Sequence, residues 1–496
     1  MQLEVPLTFE FNCFKKGQKG TKQYKGILNN NKLELYKENA KAPKYVLPIQ
    51  LQTHVKWEVE EEIVNGKKHY KIVSFKFQQI KQIRESQIAK VTCFCGDDVT
   101  LTKLKEHLRN KIIFQRIQDF YTPLQTLGKG ASSRVLLVRH KNSELYYAAK
   151  CVDKSYVNET ENGIESMFQE ISINNDLDHP SFIKLHAVYE GDNTFYMVMD
   201  LLEGKSLHDE LNSHKNGFPE EIVRNVMWQI LTGIEYMHKK NIMHRDLKPE
   251  NIMLQKKSDL NSLKIVDFGL ATYCNIDKYL FPKCGTPGYV APEIANLIDK
   301  QEKYDKVCDV FSAGVIFFKL LTGKDLFPGV GFNLVLKLNK QCKIDLTPLQ
   351  MKKVDPNIIN LIQKMLEKDP TKRISASACL LDPFFEKSHI ENQELKLQQT
   401  SSQKKQFFSS GGKNFQTQEF QSDSPSLQNT KQIEKGSFVT QDCAFKGFKE
   451  PQHGKVMQKF NTTEFDHVDL NVNGSPIEKK NSKFAKTDQI EEEDEK

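Results

Sequence analysis

The chain has 496 residues, 38% of them hydrophobic, 10% aromatic and 27% charged. That length predicts roughly three folding units, and the apolar share excludes a wholly disordered chain. Lys+Arg 71 against Asp+Glu 64 leaves +7, too small an excess for a dedicated nucleic-acid binder, so no nucleic-acid partner is expected.

The charge is uneven along the chain. Residues 1–115 hold 21 basic and 12 acidic side chains, residues 116–385 hold 34 of each, and residues 386–496 hold 16 and 18. The resulting +9 of the first part is where an anionic partner would bind. A mean hydropathy of -0.56 points to a polar, unpacked portion. The ten cysteines are scattered without a C-x-x-C pair, and only Cys93 and Cys95 lie close. Such usage reads as reduced and intracellular. The opening residues lack a signal-peptide core, and neither end carries a lipidation motif. No apolar run reaches the roughly 18 residues of a membrane-spanning helix. The expectation is a cytoplasmic protein whose membrane contact, if it makes one, is peripheral; the oligomeric state stays open.

In chain order, residues 1–100 read mostly as strands. Leu3-Glu4-Val5, Leu7-Thr8-Phe9-Glu10-Phe11, Leu33-Glu34-Leu35-Tyr36 and His54-Val55-Lys56-Trp57-Glu58-Val59 alternate apolar with polar, and Asn29-Asn30-Asn31 and Asn65-Gly66 are turn signals. Leu101, Leu104, Leu108, Ile112 and Ile113 then recur at helical spacing, with Lys103, Lys105 and Arg109 between them. Several strands and one closing helix predict a small barrel or sandwich over residues 1–115. The order resembles a pleckstrin-homology domain. Tyr24–Lys37 and Tyr45–Leu51 resemble its middle strands and Ile88–Phe114 its last strand and helix, although the tryptophan usual in that helix is missing. Lys15, Lys16, Lys19, Lys22 and Lys25 cluster around Gly17 and Gly20 in a predicted loop. They read either as a solvated hairpin or as an inositol-phosphate site, which would make anionic phospholipid a partner of residues 1–115.

Residues 116–385 change character. Leu127-Gly128-Lys129-Gly130-Ala131-Ser132-Ser133-Arg134-Val135 leaves one predicted strand and enters another. Its two glycines let backbone N–H groups come close to phosphates, although a plain β-turn has the same pattern. Tyr147-Ala148-Ala149-Lys150 follows one hairpin later. A lysine ending an apolar strand is odd for packing and makes sense opposite phosphate oxygens. Glu170, in a helical stretch with Met167, Phe168, Ile171 and Ile173, is spaced to hold it.

Further on stand His244-Arg245-Asp246-Leu247-Lys248-Pro249-Glu250-Asn251, then Asp267-Phe268-Gly269 and Ala291-Pro292-Glu293. This set resembles the eukaryotic protein kinases over residues 121–385. Leu247 to Asn251 resembles their Ser/Thr branch, and Cys284 to Glu293 looks most like the calcium/calmodulin-dependent group. The resemblance implies an α+β, bilobal protein kinase fold, protein substrates, ATP and Mg2+. It implies that Asp246 accepts the proton of the substrate hydroxyl, that Lys248 faces the moving phosphate, and that Asn251 and Asp267 hold Mg2+. It also implies that Leu127 to Val135, Lys150 and Glu170 serve the phosphates, and that Val135, Ala148, Met199, Leu202 and Met253 line the adenine pocket. For each of those five apolar residues taken alone, ordinary lobe core is the better reading. Asp309 and Arg373 resemble structural anchors, and His244 reads as a packed residue.

The sequence departs from that family at several positions. Ser133 stands at the third glycine, and Asn174 replaces an apolar residue of the internal stack, where a polar group costs stability unless partnered. Ser206 and Lys319 stand at positions often acidic in arginine-directed kinases, although Glu250 remains. Pro282 occupies the usual activating phosphosite, so the partner of Arg245 is open. A competing reading is a pseudokinase scaffold; Lys150, Asp246, Asn251 and Asp267, all present, argue against it, and Gly285–Glu293 argues against a small-molecule kinase. No EF-hand loop is found, so direct calcium sensing is not expected.

Residues 386–496 are rich in Gln, Lys, Ser, Thr and Asn and end in an acidic run, Glu491 to Glu495. Such a segment cannot bury enough apolar surface to offset its ordering entropy and is expected to form a disordered tail. Tethered at high effective concentration, it reads either as restraining or tuning the preceding domain or as an inert tail.

Overall fold

The computed structural model of the chain describes residues 9–17, 20–29, 31–83, 86–130 and 133–386, with only the backbone of Gly17, 78–83 and 86–90. The strand predicted at Leu3–Val5, Lys19 and the tail predicted beyond residue 386 lie outside the described residues.

The chain opens with β1 (Phe9–Gly17), β2 (Gly20–Leu28), β3 (Lys32–Lys37), β4 (Tyr45–Pro48), β5 (His54–Val64), β6 (Lys67–Ile83) and β7 (Ser86–Cys95). Strands β1 to β4 and β5 to β7 form antiparallel meanders, joined where β1 meets β7. Alternation sets their facing: Leu33 and Leu35 of β3 and Val55 and Trp57 of β5 are buried while their neighbours are partly exposed. Asn65 and Gly66, with φ of 53° and 77°, close the β5–β6 hairpin. A two-residue turn of this hand needs positive φ at both positions, which Asn-Gly tolerates.

The five lysines expected in one loop are instead carried largely on strands. Lys15 and Lys16 end β1, Lys22 and Lys25 lie on β2, and Lys15 stands opposite Lys22. Lys25 is paired with Glu10 at 2.7 Å, and Lys15 Nζ donates to Tyr45 Oη at 3.0 Å.

Asp97 caps α1 (Asp98–Leu108), accepting the Thr100 N–H at 2.9 Å. Leu101, Leu104 and Leu108 are buried at the predicted spacing. The helix ends at Leu108, earlier than the periodicity predicts. Asn110 takes a left-handed φ of 66°, and Ile113 opens a strand, β8 (Ile113–Gln115). Lys105 leaves the polar face it was read into. It is buried, with Nζ donating to Tyr189 Oη at 3.1 Å and lying 4.0 Å from the Phe120 ring centre. Burial pulls its pKa down to about 8.

The next elements are β9 (Tyr121–Lys129), β10 (Ser133–His140), β11 (Tyr146–Asp153), α2 (Lys154–Glu159), α3 (Gly163–Asp176), β12 (Leu185–Glu190) and β13 (Thr194–Asp200). Strand β8 runs parallel to β5 on one edge and to β12 on the other. The sheet therefore continues in the order β4-β3-β2-β1-β7-β6-β5-β8-β12-β13-β11-β10-β9. One apolar cluster follows it, joining Phe11, Trp57, Leu101 and Phe114 to Phe120, Tyr121, Leu136, Tyr189 and Tyr196. The junction predicted near residue 115 is thus bridged by both sheet and core.

The second lobe is mainly helical: α4 (Leu207–Ser213), α5 (Glu220–Lys239), α6 (Pro292–Ala295), α7 (Cys308–Thr322), α8 (Phe332–Gln341), α9 (Thr347–Met351), α10 (Pro356–Met365) and α11 (Ala376–Leu380). Two short strand pairs sit between α5 and α6: β14 (Ile242–Met243) with β17 (Thr272–Tyr273), and β15 (Ile252–Leu254) with β16 (Leu263–Ile265). Helix α5 buries one stripe, including Val223, Met227, Ile230 and Ile234; α7 is buried nearly all round. No described helix is long and apolar enough to cross a membrane.

Candidate active site

The site lies between the β lobe and the helical lobe. On its upper side Leu127, Gly128 and Lys129 end β9, while Ser133, Arg134 and Val135 open β10. Gly130 N–H donates to Ser133 O at 2.7 Å, closing the turn without a third glycine. Ala131 and Ser132 lie outside the described residues.

Lys150 sits on β11 between Val135 of β10 and Met197 of β13. Its Nζ is 2.7 Å from Glu170 Oε1 on α3 and 3.5 Å from Asp267 Oδ1. Burial opposes the charge on Lys150, but Glu170 and Asp267 outweigh it and raise its pKa. Burial likewise pushes the Asp267 carboxyl up, and Lys150, Lys248 and His244 overcome it, so its pKa falls below the usual value. Asp267 holds a left-handed φ of 63°, a strained conformation of the kind that clusters at functional sites. Asn174 finds its partner inside α3, donating to Glu170 O at 2.9 Å.

Below, Asp309 of α7 shapes the loop after β14. Its two oxygens accept the N–H groups of His244 at 2.9 Å and Arg245 at 2.8 Å, and His238 Nε2 lies 3.0 Å from it. Burial disfavours the charge on Asp309, and the His238 hydrogen bond is the main influence that restores it. The loop so held presents Asp246. Asp246 Oδ1 accepts from Thr286 Oγ1 at 2.6 Å; Oδ2 accepts from Lys248 Nζ at 3.1 Å and Asn251 Nδ2 at 3.2 Å. Lys248 also donates to Thr286 Oγ1 at 2.9 Å. His244 packs its ring 5.4 Å from Phe268, consistent with a packed residue.

Asn251 spends its amide nitrogen on Asp246, which leaves the carbonyl oxygen for a cation. Its backbone O accepts Val266 N–H at 3.0 Å and so ties it to the residue before Asp267. No cluster of three His, Cys, Asp or Glu among the described residues would hold a metal by itself. Two oxygen donors fit Mg2+, which keeps waters and binds phosphate oxygens beside few protein ligands.

The five apolar residues divide between the lobes. Ala148 faces Met199 across β11 and β13, and Val135 faces Lys150 across β10 and β11. Leu202 and Met253 are buried in the core of the helical lobe, against which Met199 packs.

Three partners were not legible from the sequence. Arg245 is held by neutral oxygens: Leu270 O at 2.7 Å, Phe281 O at 2.7 Å and Tyr304 Oη at 2.9 Å, with Tyr304 in turn donating to Pro282 O at 2.9 Å. Glu250 is paired with His208 at 3.0 Å, and that hydrogen bond raises the imidazole pKa. Lys319 is engaged by Asp325 at 2.7 Å. No local pattern marks any of these contacts.

Residues 121–385 match the protein kinase domain family. The chain is similar to calcium-dependent protein kinase 4 of Plasmodium falciparum (isolate 3D7), 38% identical over 261 residues, 52% of this chain and 48% of that protein. It is 37% identical over 273 residues to calcium-dependent protein kinase 3 of Plasmodium yoelii yoelii, covering 55% of this chain and 49% of the relative. The chain thus spans about half the length of these curated relatives.

Proposed function

We propose a function from one premise: the chain belongs to the protein kinase family. The chain transfers the γ-phosphate of ATP to serine or threonine hydroxyls of protein substrates. The observation that carries this is the connected set of Lys150–Glu170, Lys150–Asp267 and Asp246–Lys248–Thr286 contacts, each between 2.6 and 3.5 Å.

In this reading Glu170 holds Lys150 so that its ammonium meets the ATP phosphates. The backbone of Leu127 to Val135 covers those phosphates, and Val135, Ala148, Met199, Leu202 and Met253 enclose the adenine. Asn251 and Asp267 hold Mg2+, whose charge offsets that of the phosphate oxygens. Asp246, oriented by Thr286 and Asn251, takes the proton from the attacking hydroxyl. Lys248 places a positive charge beside the group in flight, where phosphoryl transfer needs it. The run Leu247 to Asn251 supports Ser/Thr over Tyr targets. Purified chain with Mg2+ and ATP should label Ser- and Thr-centred peptides of an arrayed library. Labelling of Tyr-centred peptides alone would overturn the specificity.

The neutral anchoring of Arg245 supports activity without a phosphate on the activation segment, since Tyr304 and two carbonyls already hold its Nε and Nη1. Phosphatase-treated protein should keep the turnover of untreated protein. Complete loss, mapped to a site between Asp267 and Glu293, would contradict this.

The meander order of β1 to β7 followed by α1 supports the pleckstrin-homology-like reading of the N-terminal part. We propose that this part holds a cytoplasmic kinase reversibly at anionic lipid. Opposed like charges such as Lys15 and Lys22 cost stability, which an anion between them would relieve. Full-length chain should co-sediment with phosphatidylserine vesicles. Changing Lys15, Lys16 and Lys22 to Gln should weaken binding by about 1 kcal/mol per residue. Binding indifferent to salt and to these changes would leave the hairpin as merely solvated.

A further inference from the structure

We propose that strand β8 seats helix α3, making Ile113, Asn110 and Asn175 positioning residues for the Lys150–Glu170 pair. The inference rests on the kinase reading of that pair. Strand β8 is three residues long and presents two faces. Successive side chains on a strand point to opposite sides. Ile113, 1% exposed, packs in one cluster with Met167 and Ile171 of α3 and with Leu185, Val188 and Met197. Ile171 adjoins Glu170 in sequence, and Met197 lies opposite Lys150 in the β11–β13 register. Phe114, on the other face, packs with Trp57 of β5 at 6.1 Å and Tyr189 of β12 at 5.6 Å between ring centres.

Polar ties follow the same route. Asn175, near the end of α3, donates from Nδ2 to Asn110 O. Asn110 Nδ2 donates to Leu185 O at 2.8 Å. His54 of β5 and Lys154, the first residue of α2, both bind Glu190 of β12, at 2.7 and 2.5 Å. The opposite side of α3 answers to the segment after Asp267: Gln169 Nε2 donates to Ala271 O at 2.7 Å, and Tyr273 Oη donates to Asp176 at 2.6 Å. Helix α3 is thus held between the segment that carries Asp267 and the strand that ends the N-terminal region. A helix whose seat determines an ion pair needed for transfer turns any loss of seating into a loss of reactive population.

The test uses the full chain. Ile113→Ala should lower kcat roughly tenfold or more, as the seated population falls, with the KM for peptide unchanged. Hydrogen exchange of amides 163–176 should quicken. Ile113→Val should restore both. Leu35→Ala, on β3 in the neighbouring apolar cluster that holds Phe114 but not Ile113, serves as the stability control: it should lower the unfolding midpoint and leave kcat unchanged. Asn175→Ala removes one hydrogen bond and should show the same pattern in smaller degree, so a failure of Ile113→Ala to fold still leaves a reading. Wild-type kcat in both Ile113→Ala and Asn175→Ala would overturn the inference. So would an equal fall in Leu35→Ala. If the wild-type chain transfers no phosphate, the kinase reading fails by itself. The exchange arm then judges the seating: unchanged exchange across 163–176 in Ile113→Ala refutes it.

Discussion

Asp246→Asn is expected to lower kcat by at least about 10²–10⁴-fold, the range supplied by a positioned proton acceptor. The substitution keeps the shape of the side chain and removes its charge. The environment of Asp246 makes that loss specific. Three donors converge on its oxygens, from Thr286 at 2.6 Å, Lys248 at 3.1 Å and Asn251 at 3.2 Å. An amide there must turn an NH2 group toward one of these donors, which misorients the acceptor as well as weakening it. Residues Lys150, Glu170 and Asp267 are untouched, so ATP binding should persist. Steady-state kinetics and nucleotide titration of the purified variant measure the two effects separately. Turnover equal to that of the wild type would remove Asp246 from the chemistry.

The second large effect concerns stability. Arg373 reaches Glu293 with Nη1 at 2.7 Å and Nη2 at 2.9 Å, donates from Nε to Glu367 O at 2.8 Å, and stacks 5.2 Å from the Phe311 ring centre. Its side chain is fully buried and that of Glu293 is 14% exposed. Removing one partner of a buried pair leaves an uncompensated charge, which costs about 3–5 kcal/mol. Glu293→Ala should therefore destabilise the helical lobe by that amount, and Glu293→Ala with Arg373→Met should recover part of it. Denaturant unfolding of the three proteins decides the matter. An unchanged midpoint in Glu293→Ala would show that solvent carries the Arg373 charge.

The parts legible in sequence are those whose signal is local. Asn65-Gly66 announces a hairpin because two positive φ angles select those residues. Leu101, Leu104 and Leu108 announce α1 because a helix repeats every few residues. The contiguous runs His244 to Asn251 and Asp267 to Gly269 announce the site, because each loop carries several functional groups at once. Contacts made through space were not legible. Ile112 and Ile113 extend the helical period, but Asn110 breaks the helix and Ile113 is captured by strands β5 and β12, distant in sequence. Lys105 reads as polar surface until Tyr189 and Phe120 close over it. Tyr304 is named by nothing near Arg245 in the chain. Asn174 looks costly until the Glu170 carbonyl, one turn back, accepts its amide.

The contacts around Lys150, Asp246, Asn251 and Asp267 are proposed to form a working phosphoryl-transfer site. Its most direct test is the transfer of labelled γ-phosphate from ATP to a Ser/Thr peptide by the purified full-length chain, with Mg2+ present and with Mg2+ chelated. Transfer in the first condition and none in the second is the expected result. ATP binding without transfer in either condition would contradict it.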